Sequence, residues 1–208
     1  GFPRGMGVCG GLDAVIADIG AAGTVRPPGT AFEYSDAGSA VLGGVIAAVE
    51  GAPVEEVLDQ RLLAPLSMTD TFFDRGDDDP RRARMACGYK LAADRYELYW
   101  DASGPPKYPF FPAAGGLWST TTDYAKFLQA WCLALRGEAP ELLGAETVRA
   151  AMRSTPLTSL PHERGNYGMH WWLYSDPAEA DGVQLVFGAD GSDGTWAMAA
   201  PELDLLVL

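Results

Sequence analysis

The chain has 208 residues, of which 48% are apolar and 21% are charged, proportions that are typical of a globular protein with a sizeable core. Its formal net charge of -13 argues against a nucleic-acid partner, because binding to phosphates requires clustered Lys and Arg. The same charge disfavours anionic membrane surfaces. No apolar run reaches the roughly 18 residues of a membrane-spanning helix, so no such span is predicted.

Five segments have apolar residues at the spacing of an α-helix. The predicted helices cover residues 12–21, 37–50, 54–63, 121–136 and 145–153. Gly23 and Gly51 follow the first two segments and are typical C-terminal stops. Pro53 suits the first turn of the third helix, and residues 120–123 form a variant of the capping box at the start of the fourth.

Residues 67–116 are rich in Pro, Gly, Asp and aromatic residues, which predicts irregular structure with one short hairpin that pairs residues 88–90 with 96–99. The densest acidic run of the chain, residues 74–79, lies here and is followed at once by Arg81, Arg82 and Arg84. Because opposite charges lie so close together along the chain, we expect a solvated loop that neutralises itself rather than a metal site.

The last part of the chain changes in character. Four aromatic or apolar runs are separated by turns rich in Gly, Pro and Asp, and they predict strands at residues 167–174, 183–187, 195–199 and 203–208. Short connections favour antiparallel pairing. We therefore predict an α+β fold, with a mainly helical lobe and irregular loops at residues 1–165 and antiparallel strands at residues 166–208, together forming part of one domain.

No set of residues has the spacing of a metal site. The chain has three widely spaced cysteines: Cys9, Cys87 and Cys132. They form no Cys-x-x-Cys pair, and Cys132 is expected to pack as a small apolar residue of a helix. His162 and His170 lack a carboxylate partner at ligand spacing, so we interpret them as loop and strand-face residues. Residues 190–194 lack the pattern of a calcium loop and predict a tight turn between strands. No metal and no organic cofactor is predicted.

The segment from Pro28 to Asp36 leads directly into the second predicted helix and places Tyr34 at its start. A phenol in such a turn can face a cleft and relay protons for a serine nucleophile. A free phenol has a pKa near 10, so such a relay requires a nearby ammonium that favours the phenolate. No lysine of this chain completes a Ser-x-x-Lys motif. A competing interpretation, which does not exclude a role in a cleft, is that Ser35 or Asp36 caps the helix.

Three segments occur in a characteristic order. The first runs from Pro28-Gly29-Thr30 through Tyr34-Ser35-Asp36 to Glu50-Gly51, the second from Ala114-Gly115-Gly116-Leu117-Trp118 to Phe127, and the third from Phe187 to Thr195, followed by Pro201-Glu202. Each segment alone is weakly specific. In this order and spacing, the chain resembles the serine β-lactamase and D,D-peptidase superfamily, and most closely the branch with class C β-lactamases, D,D-carboxypeptidases and related esterases.

The resemblance implies a β-lactamase/transpeptidase-like fold, in which a helical lobe and an antiparallel sheet border a crevice. In that family, the nucleophilic serine and its lysine lie on a helix before the tyrosine motif, and a C-terminal helix packs on the sheet. Both helices are expected to lie outside this chain, which we interpret as truncated at both ends. Because relatives mostly work outside the cytoplasm, a periplasmic or secreted location is expected.

The resemblance also implies roles for individual residues. Tyr34 matches the tyrosine of the family's Tyr-x-Asn motif, a general base or proton relay. Asp36 stands in the place of Asn, and an ionised Asp accepts hydrogen bonds but cannot donate one to a substrate carbonyl. Gly191 matches the glycine of the Lys-Thr-Gly or His-x-Gly motif, and the N–H of Ser192 is expected in the oxyanion hole. Ala189 stands where relatives carry Lys or His, a departure that disfavours β-lactamase or carboxypeptidase activity and favours simple esters.

The implied function is a serine hydrolase that acts through an acyl-enzyme on a small-molecule ester, amide or β-lactam. Its nucleophile would lie outside this chain, so the chain alone is predicted to be inactive. The alternative is a non-catalytic binding or regulatory module that keeps the fold, and Asp36 and Ala189 favour it. Four tryptophans could line an acyl pocket, although core packing is the default for each: Trp118, Trp171, Trp172 and Trp196.

Overall fold

The five α-helices of the described residues lie before residue 152 together with four short strands, and five further strands follow them. The computed structural model describes residues 10–76, 79–108, 110–138, 143–155, 166–174 and 186–208. The helices are α1 (Leu12–Ala22), α2 (Asp36–Glu50), α3 (Val54–Leu58), α4 (Thr121–Arg136) and α5 (Ala145–Ala151). The strands are β1 (Phe72–Phe73), β2 (Gly88–Ala92), β3 (Arg95–Trp100), β4 (Leu117–Trp118), β5 (Asn166–Tyr167), β6 (Trp172–Leu173), β7 (Phe187–Asp190), β8 (Trp196–Ala200) and β9 (Leu205–Val207). The predicted α+β class is confirmed.

The chain forms two compact units that are interleaved along the sequence. The first unit comprises residues up to Thr24, Ser35–Ala64 and Thr69–Thr120. The second unit comprises Val25–Tyr34, Pro65–Met68 and Thr121–Leu208. The sequence-based division at residue 165 separates a mainly helical lobe from the last strands, whereas the second unit contains α4 and α5 together with the last five strands. The reason is that α4 packs on the sheet strands and shares a hydrophobic core with them.

In the first unit, α1 and α2 follow the predicted boundaries within one residue, and local signals fix the ends of α2. Ser35 is the N-cap of α2, and its Oγ accepts a hydrogen bond from the backbone N–H of Gly38 at 3.0 Å. At the other end, Gly51 adopts a left-handed conformation with φ 66°. A Cβ on Gly44 would lie 2.2 Å from Cδ1 of Ile16, so glycine at this position allows α1 to approach α2 closely.

A buried ion pair corrects the prediction of a fully solvated acidic loop in the first unit. Asp74 is 2% exposed and Arg82 is 9% exposed, and their side chains form a salt bridge. The Arg82 guanidinium also donates to the carbonyl oxygens of Ala102 and Gly104. The prediction of self-neutralisation holds for the described part of this loop, since Asp79 pairs with Arg81. The pairing of Asp74 with Arg82 removes both side chains from water. The proximity of opposite charges along the chain does not by itself indicate this burial.

In the second unit, the five strands β5 to β9 form an antiparallel sheet in sequential order. One face of the sheet packs on α4 and α5. The fully buried residues on this face include Leu173, Phe187 and Ala199, and they share a core with Leu128 of α4 and Val148 of α5. Residues in the alternate register, such as Trp172, Gly188 and Met198, therefore lie on the opposite face.

Several predicted elements differ in extent from those observed. The predicted strand over residues 167–174 is two short strands, β5 and β6, because His170 takes a positive φ of 63° and reverses the chain between them. The helix predicted over residues 54–63 is α-helical only to Leu58 and continues as a π-helical turn, Asp59–Leu63. The hairpin of β2 and β3 is longer than predicted. Of the strand predicted at residues 183–187, residues 183–185 lie outside the described residues, and β7 extends the segment to Asp190.

Within the described ranges, no single helix is long and apolar enough to cross a membrane, although the bent pair Asp36–Glu50 and Val54–Leu63 meets the length and composition criteria jointly.

Cys132 is 5% exposed in the core of the second unit, which confirms its predicted packing role. Cys87 is exposed. His170 is exposed in the turn between β5 and β6, while His162 lies outside the described residues.

Candidate active site

Tyr34 lies in a segment without regular secondary structure, immediately before the N-cap of α2. Its side chain is 58% exposed. The ring nevertheless contacts two aromatic rings of the sheet in the second unit. It stacks on Trp172 with a centroid separation of 5.9 Å and an interplanar angle of 7°, and it meets Tyr167 edge-on at 6.1 Å. Tyr34 is therefore an accessible phenol seated on a defined surface, unlike a tyrosine buried in a core.

Tyr167 and Trp172 are directly opposite each other in the pairing of β5 with β6, and their rings meet at 4.8 Å. Phe32 adds a further ring, 5.1 Å from Tyr167. Burial raises the pKa of Tyr167 to about 12, and the neighbouring Tyr34 and Asp190 add to the rise. Tyr167 therefore stays a neutral phenol at physiological pH, and Asp190, the last residue of β7, lies close enough to influence it.

Gly191 and Ser192 lie in the tight turn between β7 and β8, as predicted from the glycines. The Gly191 N–H donates to the carbonyl of Thr195 at 2.9 Å, and the Gly194 N–H donates to the carbonyl of Gly191 at 3.0 Å. A Cβ on Gly191 would meet Oγ1 of Thr195, so a side chain at this position would have to displace the Thr195 hydroxyl. Ser192 is exposed at the tip of the turn. A backbone N–H in such a turn is fixed by its neighbours and is suited to bind an oxyanion.

Asp36 is the first residue of α2 and belongs to the first unit, whereas Tyr34, Gly191 and Ser192 belong to the second. Its carboxylate lies in the first turn of the helix, where it interacts favourably with the helix dipole. The capping interpretation applies to Ser35 rather than Asp36. The roles of Asp36 in substrate binding and of the Ser192 N–H in an oxyanion hole stay predictions.

Ala189 packs against the core shared with α4 and α5. Its partner across the strand pair is Ala197, which is also a core residue. The neighbouring Gly188 and Asp190 point to the other face of the sheet, on the same side as Trp172. A small apolar residue at position 189 is therefore compatible with the packing of this sheet.

No sequence pattern marks Tyr167 as a site residue, and Trp172 is expected from the sequence to pack in the core. The structure brings both to Tyr34 across more than 130 positions of the chain. The sequence signal for Trp172 is the adjacent pair Trp171-Trp172, because neighbouring residues of a strand face opposite sides of the sheet.

Trp171 is buried in the core, as expected, and Trp118 stacks on Trp100. Trp196 is 45% exposed, so core packing is wrong for this residue.

No group of three or more His, Cys, Asp or Glu side chains in the described part of the chain is placed to hold a metal ion. In the described part of the acidic loop, Asp74 and Asp79 pair with arginines.

Comparison with known proteins identifies relatives over nearly the whole chain. A family model described as Beta-lactamase matches residues 3–208. Protein Rv1367c of Mycobacterium tuberculosis (strain ATCC 25618 / H37Rv) is 33% identical over 216 residues, a match that covers 95% of this chain and 53% of that protein. The chain therefore spans about half the length of the curated relatives it matches.

Solved structures share the fold at lower sequence identity. The penicillin-binding protein of Bacillus halodurans superposes with a TM-score of 0.72 at 21% identity, covering 98% of this chain and 59% of that one. EstCE1, a hydrolase with promiscuous acyltransferase activity, superposes with a TM-score of 0.74 at 18% identity, covering 94% of this chain and 55% of that one. At these identities, the likeness is one of fold.

Proposed function

The chain belongs to the beta-lactamase family, and on that premise we propose that the whole protein is a serine hydrolase that forms an acyl-enzyme with an ester or amide. The family resemblance is the basis for the reaction type. The nucleophilic serine and its lysine are contributed by residues outside this chain, and Tyr34 relays the proton. The proposal concerns the whole protein rather than this chain alone, because the chain spans only about half the length of its curated relatives.

The supporting observation is the setting of Tyr34. Its side chain is 58% exposed, yet its ring rests on Trp172, which is 7% exposed. A tyrosine that serves packing is expected to be shielded from water, as is the partly buried Tyr124, which packs against the core of the second unit and whose pKa is raised by burial. A phenol that exchanges protons with a substrate must instead combine access with a fixed position. Tyr34 meets both requirements.

The proposed reaction uses few groups. The serine oxygen bonds to the substrate carbonyl carbon, and its proton passes to the ionised oxygen of Tyr34 and from there to the leaving group. The backbone N–H of Ser192 stabilises the negative charge that develops on the carbonyl oxygen. Water then hydrolyses the acyl-serine by the same path. Asp36 accepts a hydrogen bond from the lysine or from the substrate. No step requires a metal ion.

The test is hydrolysis of nitrophenyl butyrate by the whole protein. We expect Tyr34→Phe to lower kcat at least about 100-fold, since loss of a general base costs this much. Tyr96→Phe is the matched control, because Tyr96 is 73% exposed on the β2–β3 hairpin of the other unit, and it should leave kcat unchanged. Full activity of folded Tyr34→Phe would refute the proposed role. The 208-residue chain alone should show no turnover above a denatured control.

A second candidate is a non-catalytic binding or regulatory module that keeps the fold. Ala189 favours it, because its side chain packs in the core and supplies no cation for a substrate carboxylate. Intact-mass spectrometry after incubation with a fluorescent penicillin and with nitrophenyl butyrate separates the two candidates. A covalent acyl adduct supports the hydrolase. Saturable binding of the penicillin without an adduct or turnover supports the module.

A further inference from the structure

The two faces of the sheet in the second unit separate adjacent tryptophans. Trp171 faces α4, where its ring contacts Phe127 and Phe187 within the core. Trp172 lies on the opposite face and contacts Tyr167 and Tyr34. Trp171 therefore has its role in packing. Trp172 is equally buried, at 7% exposed, but part of its cover is the ring of Tyr34.

The backbone fixes Trp172 and Tyr167 more firmly than it fixes Tyr34. Trp172 is paired on both sides, with Tyr167 of β5 and with Gly188 of β7. Tyr34 lies outside any helix or strand. An exposed side chain in such a segment samples several rotamers unless neighbours restrict it. The neighbours that the ring contacts show are Trp172, parallel to it, and Tyr167, at an angle of 80°.

The ring of Trp172, parallel to that of Tyr34, and the ring of Tyr167, edge-on to it, restrict different motions of Tyr34. The stacked indole sets the plane of the Tyr34 ring, and the edge-on phenol limits its sliding and rotation within that plane. Because the hydroxyl oxygen lies at the far end of the ring, a small tilt at the Cβ moves it by an ångström or more. The contacts with Trp172 and Tyr167 thus restrict the directions in which the oxygen of Tyr34 can point.

We propose that Trp172 and Tyr167 are positioning residues for Tyr34, which fix its ring plane and thereby the direction of its hydroxyl group. The catalytic part of this inference rests on the proposed function, whereas the geometric part does not. Tyr167 acts through its ring, since its contacts with Tyr34 and Trp172 are ring contacts. Tyr167→Phe should therefore be tolerated, and Tyr167→Leu should not.

The geometric part is tested by ¹⁹F NMR of the chain labelled with 3-fluorotyrosine. The chain has 8 tyrosines, and Tyr34→Phe identifies the resonance of Tyr34. We expect Trp172→Leu to remove the ring-current shift of this resonance and to broaden or split it. Trp100→Leu is the matched control, because it removes a tryptophan that is stacked on Trp118 in the other unit. A Tyr34 resonance that is unchanged in folded Trp172→Leu overturns the inference.

Trp172→Phe keeps the test decisive if Trp172→Leu does not fold. A phenyl ring has a weaker ring current and a smaller stacking surface than indole. The Tyr34 resonance should therefore move part of the way toward its position in the unfolded chain. No movement in folded Trp172→Phe overturns the inference in the same way.

The catalytic part is tested by kinetics of the whole protein with nitrophenyl butyrate. Since a displacement of about 1 Å can cost about 100-fold in rate, we expect Trp172→Leu to lower kcat by about 10- to 100-fold with KM changed less than about twofold. Trp172→Phe should restore most of kcat. If Tyr34→Phe abolishes turnover but Trp172→Leu leaves kcat intact, the positioning role is wrong and the proposed function stands. If Tyr34→Phe keeps full activity while Trp172→Leu still shifts the Tyr34 resonance, the proposed function fails and the geometric role stands.

Discussion

Asp74 and Arg82 form an ion pair whose two side chains are almost completely removed from water. Oδ1 of Asp74 also accepts a hydrogen bond from the backbone N–H of Gly76 at 3.0 Å, while Oδ2 is buried without a hydrogen-bond partner among the described residues. The two carbonyls that accept from Arg82 belong to the loop after β3. One guanidinium thus joins three parts of an otherwise irregular region.

We predict that Arg82→Met destabilises the protein by about 3–5 kcal/mol, because it leaves the Asp74 carboxylate buried and unpaired. Urea denaturation measures the free energy of unfolding. The control is Arg84→Met, which removes the exposed pair with Asp70 and should cost about 0–1 kcal/mol. The double variant Asp74→Leu/Arg82→Met should recover part of the loss, since no buried charge is left. Equal effects of Arg82→Met and Arg84→Met contradict this prediction.

Leu128 lies at the centre of the core between α4 and the sheet and is 0% exposed. We predict that Leu128→Ala lowers the free energy of unfolding by about 2–5 kcal/mol, through lost apolar burial and the cavity that remains. Leu203→Ala makes the same change in the same unit at a residue that is 73% exposed, and it should cost less than about 0.5 kcal/mol. Denaturant unfolding compares the two variants, and similar costs for both would show that the core lies elsewhere.

The raised pKa of Tyr167 predicts a pH dependence of stability. The pKa of an unfolded tyrosine is near 10, and burial raises that of Tyr167 to about 12 in the folded protein. The folded state therefore keeps a proton that the unfolded state loses, so the contribution is fully present below pH 10 and disappears between about pH 10 and 12. Unfolding free energies measured across this range should fall more steeply in the wild type than in Tyr167→Phe. Parallel curves would contradict the assignment.

The two described cysteines should differ in reactivity. Burial raises the pKa of the Cys132 thiol, so at pH 8 it is both shielded and short of thiolate. Cys87 is exposed. In a Cys9→Ser background, a disulfide reagent such as DTNB should label Cys87 in the native protein and Cys132 only after urea is added. Peptide mapping by mass spectrometry identifies the labelled residue, and rapid native labelling of Cys132 would show that the core of the second unit opens.

The sequence predicts those parts of the fold that local signals determine. Ser35 and Gly51 define the ends of α2 within one residue, because a cap and a left-handed glycine act on the turn beside them. The split of residues 167–174 into two strands depends on a left-handed His170, which histidine adopts too rarely to be read from its identity. The buried pair of Asp74 with Arg82 also involves two carbonyls distant along the chain, so the sequence of charges alone does not predict its burial.

The candidate site shows the same division between local and distant contributions. The sequence identifies Tyr34 as a candidate from the motif in which it lies. It identifies Gly191 from the glycine-rich turn between two predicted strands. The partners of Tyr34 come from β5 and β6, and no rule of spacing along the chain links residues so far apart. The alternation of side chains in a strand indicates that Trp171 and Trp172 face opposite ways, but only the pairing of the sheet shows which of them lies beneath Tyr34.

The interleaving of the two units constrains how the protein can be dissected. An expression product that starts at Thr121 would keep α4, α5 and the five-stranded sheet but would lack Val25–Tyr34, which belong to the same unit. Such a product would expose the ring of Trp172 that Tyr34 now covers. A nick after Tyr34 would leave two pieces that each carry part of both units, so neither unit could form without their reassociation. Circular permutation keeps every segment in a single polypeptide and therefore avoids this loss.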